Sequence, residues 1–397
     1  MTTLDGEAVA QLDADEIRRR TRQLTSEVNQ RSDEVAAARR LPADLVVALK
    51  SAGAFRMSMP ESWGGPAMPF PDQLGLVEDL AYADPSVGWC VMIGSDSGLI
   101  SAWFDDAVAR EMWIELDDVT AGWLTPAGTA TSVADGYRVA GRWKFGSGCT
   151  HADVMMAGCI VVDASGKPLA DDDGRPVVRT IVARASCFEI VDTWHTTGLA
   201  GSGSNDFTCG DLFVPAEQTF SLFDMPRREG PLHAIRGGLL VNMPAVPLGL
   251  ARRAIDEAVA IVSDKFSMPD GAPMRQIARV REAVADAQRA HRAAHAYVDA
   301  AVERAWTALV AGRPLDTDER IDLVLSRIDA FRMALDVAQA MVRLVGTQAI
   351  YSSCVLDRLL RDAITMNQHI VTGAPLVDSA GRLALGIDLE GFAAALV

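Results

Sequence analysis

Two glycine-rich stretches, Trp143–His151 (WKFGSGCTH) and Asp192–Asp206 (DTWHTTGLAGSGSND), guide the interpretation of the whole chain. Glycine lets a backbone approach a ligand closely, and serine and threonine add small hydrogen-bonding groups. Each stretch also carries a tryptophan, Trp143 or Trp194, whose flat apolar ring can form a wall for a planar ligand. Tight turns in a β-domain have the same composition. The residues alone therefore leave a ligand cradle and a pair of turns as open alternatives.

Both stretches lie in the only part of the chain that has the pattern of β-structure. Short runs of β-branched and aromatic residues are separated there by glycine, proline and aspartate. Their spacing predicts a small antiparallel barrel or sandwich of about seven strands. The runs begin near Trp123, Tyr137, Arg142, Val154, Val177, Phe188 and Asp211.

Helical patterns fill the chain on either side of this β-segment. Asp84-Pro85-Ser86 marks a turn and a new helix start, and the apolar run that follows predicts a buried helix. Segregated helices and strands indicate an α+β architecture. We expect an N-terminal α-helical domain over 1–119, a central β-domain over 120–225 and a C-terminal helical bundle over 226–397. The predicted helices cover 13–38, 41–54, 72–83, 87–104, 104–116, 248–264, 275–309, 316–345 and 353–366.

Composition excludes several classes of function. The chain has 37 Lys and Arg against 53 Asp and Glu, a formal net charge of −16, which disfavours nucleic acid and anionic membranes as partners. The sequence has no apolar run long enough to span a bilayer and no apolar core of a signal peptide, so we expect a cytoplasmic protein. The six cysteines form no CxxC pair, which argues against a disulfide framework or a zinc site.

Histidines are the candidates for proton transfer, because their unperturbed pKa lies near neutrality. His151 and His195 lie in the two glycine-rich stretches, and His369 follows a helix in RDAITMNQHIVTG. A single histidine without context is more often structural. His291 and His295 share a helical face without further metal-ligand motifs, which favours a solvated or interface pair and no metal site.

Seven segments, in order along nearly the whole chain, resemble the acyl-CoA dehydrogenase superfamily. The resemblance is closer to its flavin-dependent monooxygenase branch, which includes the oxygenase components of p-hydroxyphenylacetate hydroxylase, secosteroid phenol hydroxylase and dibenzothiophene monooxygenase. It implies a C-terminal four-helix bundle behind the central β-domain. The segments are LKSAGAFRMSMPESWGG, LAYADPSVGWCVMIG, GWLTPAG, GYRVAGRWKFGSGCTHAD, DTWHTTGLAGSGSND, DLFVPAE and LLRDA.

The chemistry of two positions selects the branch. Dehydrogenases of this superfamily carry a catalytic glutamate after an RDA motif, whereas the position that matches it after Arg361–Ala363 is Ile370, beside His369. The arginine that holds FAD in the dehydrogenases is replaced by Ser263. Both departures suit a protein that borrows reduced flavin. An acyl-CoA dehydrogenase-like oxidoreductase with bound FAD and a displaced base, and a non-catalytic flavin- or ligand-binding relative, remain alternatives.

The resemblance also implies roles for individual residues. Reduced FMN or FAD would react with O2 in the groove between the β-domain and the helices, and the resulting hydroperoxide would hydroxylate an aromatic or polycyclic small molecule. Ser147 is implied to hydrogen-bond N5 of the flavin, and His369 to deprotonate a phenol-like substrate. The implied flavin contacts are Trp123, Thr125, Ser147, Gly148 and Trp194. The implied substrate contacts are Trp89, Ser97 (where several relatives have a histidine) and His233.

Two protein partners follow from the same resemblance. A separate flavin reductase is implied as the source of reduced flavin. A homotetramer is implied as well, and the alanine-rich helix predicted over 275–309 suits it, since small residues allow close helix packing.

Overall fold

The structure is a computed structural model that describes residues 12–397. The part of the predicted N-terminal domain that falls on residues 1–11 lies outside the described residues. The predicted helix over 13–38 is two helices that meet at Arg31, whose guanidinium group bridges Glu34 and Asp44. The helices before the sheet are α1 (Ala14–Gln30), α2 (Ser32–Ala38), α3 (Ala43–Ala52), α4 (Phe70–Ala83), α5 (Pro85–Gly94), α6 (Ser97–Ser101) and α7 (Asp106–Met112).

Helix α5 lies at the centre of the molecule and begins where the sequence predicts. The Asp84 carboxylate accepts hydrogen bonds from the backbone N–H groups of Ser86 and Val87, at 2.8 and 3.1 Å, and so caps the helix. Gly88 sits directly on Ala81 of α4, because a Cβ at this glycine would lie 2.6 Å from the Ala81 Cβ. This close packing buries α5 and holds Trp89 in the interior.

Seven strands form one sheet with the order β5-β6-β2-β1-β3-β4-β7. The sheet has the predicted number of strands, but the runs at Tyr137 and Arg142 belong to one strand, and the strand Thr219–Phe220 was not predicted. The antiparallel prediction is wrong for one pair, since β1 and β3 run parallel. The short connection from Ser147 to Asp153 crosses the start of β1, so β3 begins beside Thr120 and runs in the same direction. The strands are β1 (Thr120–Val133), β2 (Gly136–Gly146), β3 (Val154–Val162), β4 (Val178–Arg184), β5 (Glu189–Val191), β6 (Asn205–Pro215) and β7 (Thr219–Phe220).

Strand β1 carries a wide bulge in its first half, between Trp123 and Gly128. Trp123 pairs with Ala157 and Gly128 pairs with Cys159, so residues 124–127 stand opposite Gly158 alone. A Cβ at Gly158 would lie 2.2 Å from the Leu124 carbonyl oxygen, which explains the glycine there. Bulges of this kind redirect side chains and are common beside active sites.

The C-terminal part is a bundle in which α10 packs against α8, α9, α11 and α12. Asp316 and Glu319 form a reciprocal capping box at the start of α10. Helices α12 and α13 were not predicted, and a short hairpin, β8 (Phe266–Ser267) and β9 (Ala272–Pro273), follows α8. The helices are α8 (Ala245–Asp264), α9 (Ala278–Val310), α10 (Thr317–Val345), α11 (Val355–Met366), α12 (Ala374–Ala384) and α13 (Gly391–Leu396).

The division into three domains at 119/120 and 225/226 stays a prediction, although the sheet runs from Thr120 to Phe220 and α8 begins at Ala245. Within residues 12–397, no helix is both long and apolar enough to cross a membrane.

Candidate active site

The two glycine-rich stretches meet at the end of the sheet, beside the start of β1. The backbone N–H of Gly148 donates to the Ser202 carbonyl oxygen at 2.9 Å, and the hydroxyl oxygens of Ser147 and Ser204 lie 2.7 Å apart. Gly148 has a φ of 74°, which favours glycine and turns the chain sharply after Ser147. Both stretches form turns, and together the two turns build one polar cluster.

The hydroxyl groups of this cluster form a chain of hydrogen bonds with a single direction, which we call the serine relay (Ser147, Ser204 and Ser202). Ser202 donates its only hydroxyl hydrogen to the Leu199 carbonyl at 2.7 Å. The 2.8 Å contact between Ser202 and Ser204 must then use the hydrogen of Ser204. By the same reasoning, the hydrogen of Ser147 goes to Ser204. Trp89 completes the chain by donating its indole N–H to the Ser147 oxygen at 3.0 Å.

Buried groups fix the second stretch in place. The backbone N–H of Leu199 donates to the Asp362 carboxylate at 2.5 Å, and a Cβ at Gly198 would lie 2.1 Å from the Arg361 carbonyl oxygen. Burial, together with the charge of Asp84, raises the pKa of Asp362 to about 7. The arginine and aspartate of the RDA motif thus anchor the loop that carries the relay.

An aromatic surface adjoins the relay. The ring of Phe145 lies 5.5 Å from that of Trp123 and 6.3 Å from that of Trp194. Phe145 is 50% exposed and has a φ of 60°, a strained conformation for a residue with a side chain. Such strain often marks a ligand site. Thr125 lies in the bulge directly after Trp123 and is half-buried.

Trp143 does not form a wall of the site, so this part of the prediction is wrong. The residue is fully buried in the core of the sheet, where its ring stacks on Phe207 at 5.4 Å. Its indole N–H donates to the Gly158 carbonyl at 2.7 Å. The pairing of β2 with β6 shifts register between Trp143 and Gly146, and Phe145 has a φ of 60°, so the regular alternation of side chains ends after Trp143 and the Phe145 ring is left exposed.

Trp89 joins the relay to the helical bundle. Its ring lies 5.5 Å from the His369 ring and 6.5 Å from the Phe331 ring, in both cases edge to face. Because the same indole donates to Ser147, the structure brings together the three predicted residues Trp89, Ser147 and His369. They come from α5, the β2–β3 loop and the segment after α11, which are far apart in the sequence.

His369 is neutral at physiological pH. Burial and the nearby charge of Arg327 lower its pKa to about 4. Its Nδ1 accepts a long hydrogen bond of 3.4 Å from the Val371 backbone N–H, which caps the short helical turn Ile370–Thr372. The residue as a whole is half-buried. A neutral imidazole can accept a proton or donate a hydrogen bond.

Two predicted substrate contacts, Ser97 and His233, do not join this group. Ser97 is fully buried, and its hydroxyl contacts the Asp118 carbonyl at 2.6 Å and the Thr120 hydroxyl at 2.7 Å, so it holds α6 to β1. His233 is buried as well, and burial and the charge of Arg228 lower its pKa to about 4. Within residues 12–397, neither side chain has a hydrogen bond or ring contact with Trp89, Ser147 or His369. The structure therefore gives no support to these two assignments.

The other histidines have separate surroundings. His151 is enclosed near Phe55, and burial lowers its pKa to about 4. His195 is exposed beside Asp192. His295 lies between Asp299 and Glu78, which raise its pKa to about 10. Among residues 12–397, no group of three or more His, Cys, Asp or Glu side chains is placed to hold a metal ion.

The sequence reasoning missed several residues of the site. Phe145 had a usable signal, since it directly precedes the Gly-Ser-Gly turn. Arg327 had another, because it interrupts the buried apolar face of α10 that carries Ile328 and Phe331. Ser202 and Ser204 had none beyond their composition, since the direction of a hydrogen-bond chain depends on three-dimensional contacts.

Comparisons with known proteins show the family of the chain. A family model for the N-terminal domain of acyl-CoA dehydrogenase matches residues 12–112, and a model for the C-terminal domain matches residues 242–373. An indole-3-acetate monooxygenase from Pseudomonas putida is 31% identical over 353 residues, which are 88% of each chain. The oxygenase component of an FADH(2)-dependent resorcinol hydroxylase from Rhizobium sp. (strain MTP-10005) is 29% identical over 378 residues, 89% of this chain and 90% of its own.

A solved structure shows the same fold. The HsaA monooxygenase from M. tuberculosis superposes with a TM-score of 0.88 over 97% of this chain and 100% of that chain. Its sequence identity of 23% carries no conclusion beyond the fold.

Proposed function

The chain belongs to the flavin-dependent monooxygenases of the acyl-CoA dehydrogenase family, and we propose that it is the oxygenase component of a two-component system. Its substrate is an aromatic or polycyclic small molecule, which it hydroxylates with O2. The observation that carries this proposal is the convergence of Ser147, Trp89 and His369 beside an exposed aromatic surface. A hydrogen-bonding hydroxyl, an aromatic wall and a neutral imidazole are the groups that this reaction needs.

The serine relay fits reduced flavin in its donor chemistry. Ser147 gives its hydrogen to Ser204 and accepts one from Trp89, which leaves one lone pair on its oxygen. Reduced flavin carries a hydrogen on N5, whereas N5 of oxidised flavin has only a lone pair. Ser147 is therefore arranged to accept from the reduced form. This preference suits a protein that takes up reduced flavin and releases the oxidised product.

Several residues would hold the flavin. Trp123, Phe145 and Trp194 offer apolar ring surface. Thr125 supplies a polar side chain, and the turn at Gly148 lets the backbone come close to the ligand. Reduced flavin, as FMNH2 or FADH2, supplies the two electrons with which one atom of O2 enters the substrate and the other leaves as water. The buried surroundings of Trp89 and Ser147 exclude water, which protects such chemistry from unproductive release of peroxide.

Trp89 contacts both Ser147 and His369, and we assign His369 to the substrate. The neutral histidine ring can accept the proton of a phenolic hydroxyl, or a hydrogen bond from an indole N–H, and either interaction makes the aromatic ring richer in electrons. An electron-rich ring reacts more readily with an electrophilic oxygen atom. The two relatives above are named for indole-3-acetate and resorcinol, so indoles and phenols are the first substrates to test.

Dehydrogenation of an acyl-CoA finds no carboxylate base at the position where the dehydrogenases carry their glutamate. Ile370, at the position of the dehydrogenase glutamate, is apolar. Asp362, the carboxylate at the nearby loop anchor, is buried and bonded to the Leu199 N–H. A reaction that begins by removing a proton next to a thioester therefore has no group to start it at the expected place.

The proposal includes partners and a location. The names of the relatives as oxygenase components support a separate reductase that delivers reduced flavin. A homotetramer and a cytoplasmic location, both expected from the sequence, belong to the same proposal.

Rapid mixing tests this function. The protein is loaded anaerobically with FMNH2, and separately with FADH2, and is then mixed with oxygenated buffer with or without an indole or a phenol. We expect the oxidised-flavin absorbance to return more slowly than for free flavin, and a hydroxylated product to form when the substrate is present. The flavin that gives the slower return is the natural one. Reoxidation at the rate of free flavin with peroxide as the only product, or reduction of tightly bound FAD by an acyl-CoA, would refute the proposal.

A further inference from the structure

The backbone of Leu199 links the flavin side of the site to helix α11. Its N–H donates to the buried Asp362 carboxylate at 2.5 Å. Its carbonyl oxygen accepts the Ser202 hydroxyl at 2.7 Å and the Trp194 indole N–H at 2.9 Å. The last hydrogen bond of the serine relay and one of the aromatic residues proposed to hold the flavin therefore end on the same backbone atom.

Leu199 has a strained backbone conformation. Its φ is 47° and its ψ is 34°, in the left-handed region that residues other than glycine rarely adopt. Such conformations persist where several contacts fix them. The segment has no room to shift toward α11, since a Cβ at Gly198 would lie 2.1 Å from the Arg361 carbonyl oxygen. A relaxed Leu199, with a negative φ, would turn its carbonyl away from the Ser202 hydroxyl.

Asp362 holds this conformation from the helical side. The residue is 3% exposed, and the one hydrogen bond of its side chain within residues 12–397 is the bond to Leu199. Arg361, its neighbour on α11, donates to the Thr197 carbonyl at 3.0 Å and so fixes the same segment two residues earlier. Because Asp362 has no hydrogen bond with the relay itself, any influence of this carboxylate on the relay passes through Leu199.

The position of the Leu199 carbonyl decides the direction of the serine relay. While the carbonyl accepts the hydrogen of Ser202, the hydrogens of Ser204 and Ser147 are committed along the relay, and Ser147 can only accept from a flavin. With the carbonyl turned away, Ser202 could donate to Ser204, Ser204 to Ser147, and Ser147 to the flavin. A relay with both directions open would no longer distinguish N5 of reduced flavin, which donates, from N5 of oxidised flavin, which accepts.

We propose that Asp362 is a positioning residue for flavin selection: by holding Leu199 in its left-handed conformation, it fixes the relay in the direction that favours reduced flavin. The assignment rests on the proposed function, in which Ser147 meets N5. It gives the aspartate of the RDA motif a role in the choice between two redox states of one ligand. The role requires an acceptor oxygen and not a negative charge, so the amide oxygen of an asparagine can fill it.

Anaerobic titration of the full-length protein with oxidised and with reduced flavin tests this role. FMN and FAD are the probes, and the measured quantity is the ratio of the dissociation constants for the oxidised and the reduced form. We expect a wild-type ratio of at least about five for the flavin that binds more tightly. Asp362→Leu, which replaces two carboxylate oxygens with methyl groups, should lower this ratio to about one. Asp362→Asn should stay within about twofold of the wild type.

Two comparisons separate this role from a general loss of structure. Asp357→Leu alters an exposed carboxylate on the same helix, which pairs with Arg361, and should keep the wild-type ratio. In a double-mutant cycle, Asp362→Leu should change the ratio by less than about 1.5-fold when Ser204 is already replaced by alanine, because the relay is then open in either case. If Asp362→Leu does not fold, Asp362→Ala gives the same contrast with Asp362→Asn.

Four results would overturn the assignment. They are a wild-type ratio of one, an unchanged ratio in Asp362→Leu, an equal loss in Asp362→Leu and Asp362→Asn, and independent effects of Asp362→Leu and Ser204→Ala. No oxygen and no substrate enter these titrations, so failure of the proposed hydroxylation would leave their result intact.

Discussion

The two walls of the site differ in how completely their polar groups are paired. On the β-wall, each hydroxyl of the serine relay has a hydrogen-bond partner, and the chain ends on the Leu199 carbonyl. On the helical wall, Arg327 has two unpaired nitrogen atoms and His369 makes one long contact. A paired wall is rigid before any ligand arrives, whereas an unpaired wall is complete only with its ligand. We therefore propose that the β-wall holds the flavin and the helical wall holds the substrate.

The largest effect is expected on the helical wall. His369→Ala should lower the rate of product formation by about 100- to 10,000-fold, because it removes the proton acceptor. The return of oxidised-flavin absorbance without substrate should change little, since the β-wall is intact. Product analysis and stopped-flow absorbance measure the two quantities. His195→Ala, at an exposed histidine, is the matched control and should match the wild type in both. An equal effect of His369→Ala on both quantities would mean that the walls do not divide the work.

Ser147→Ala should reverse this pattern. We expect flavin reoxidation without substrate to become about tenfold faster and peroxide to replace product, since one hydrogen bond is worth about 1 kcal/mol and more to a polar partner in a buried site. Binding of an aromatic ligand to the flavin-free protein should stay unchanged, which calorimetry can check. Weaker ligand binding with normal reoxidation would place Ser147 on the substrate side.

Ser204→Ala should have a smaller effect of a different kind. Without Ser204, the Ser147 hydroxyl is free to donate, so oxidised flavin gains a hydrogen bond that the relay otherwise denies it. The ratio of the dissociation constants for oxidised and reduced flavin should fall by about fivefold. Ser379→Ala, which removes a helical hydroxyl bonded to the Pro375 carbonyl, is the control. An unchanged ratio would contradict the direction assigned to the relay.

A separate effect concerns stability against pH and not catalysis. The folded protein keeps His369 neutral down to about pH 4, whereas the unfolded chain binds a proton below its ordinary pKa of 6.5. Stability therefore falls as the pH drops from 6.5 to 4, by at most about 1.4 kcal/mol per pH unit for each such histidine. His369→Gln should reduce this slope in urea unfolding.

His295→Gln is the opposite control for the pH series. Because the pKa of His295 is raised to about 10, its contribution is full below 6.5 and is lost as the pH rises toward 10. This variant should therefore flatten the alkaline side only. An acid slope that is the same in His369→Gln and the wild type would show that His369 is already solvated.

Several residues of the two walls could be predicted from the sequence, but the pairing of their polar groups could not. Asp84 capped α5 as expected, because a capping signal is local. The meeting of Trp89, Ser147 and His369 was accessible through family resemblance. Trp143 was misassigned, because a strand pattern gives the face of a side chain but not whether another ring covers it.

Long-range contacts account for the other misses. The parallel pairing of β1 with β3 depends on where a short loop crosses the sheet. Ser97 occupies the position at which several relatives have a histidine, yet its hydroxyl forms hydrogen bonds with Asp118 and Thr120. Arg327 stood out in an apolar helix face, but only the fold shows that its nitrogen atoms lack partners.

Labelled oxygen shows directly whether this site transfers an oxygen atom from O2 to an aromatic molecule. The protein, chemically reduced FMN or FAD and indole-3-acetate are mixed under ¹⁸O2, and the product is analysed by mass spectrometry. We predict a product that carries one ¹⁸O atom, with a yield that drops in His369→Ala. An unlabelled product, or complete reoxidation of the flavin with peroxide alone for a panel of indoles and phenols, would contradict the account.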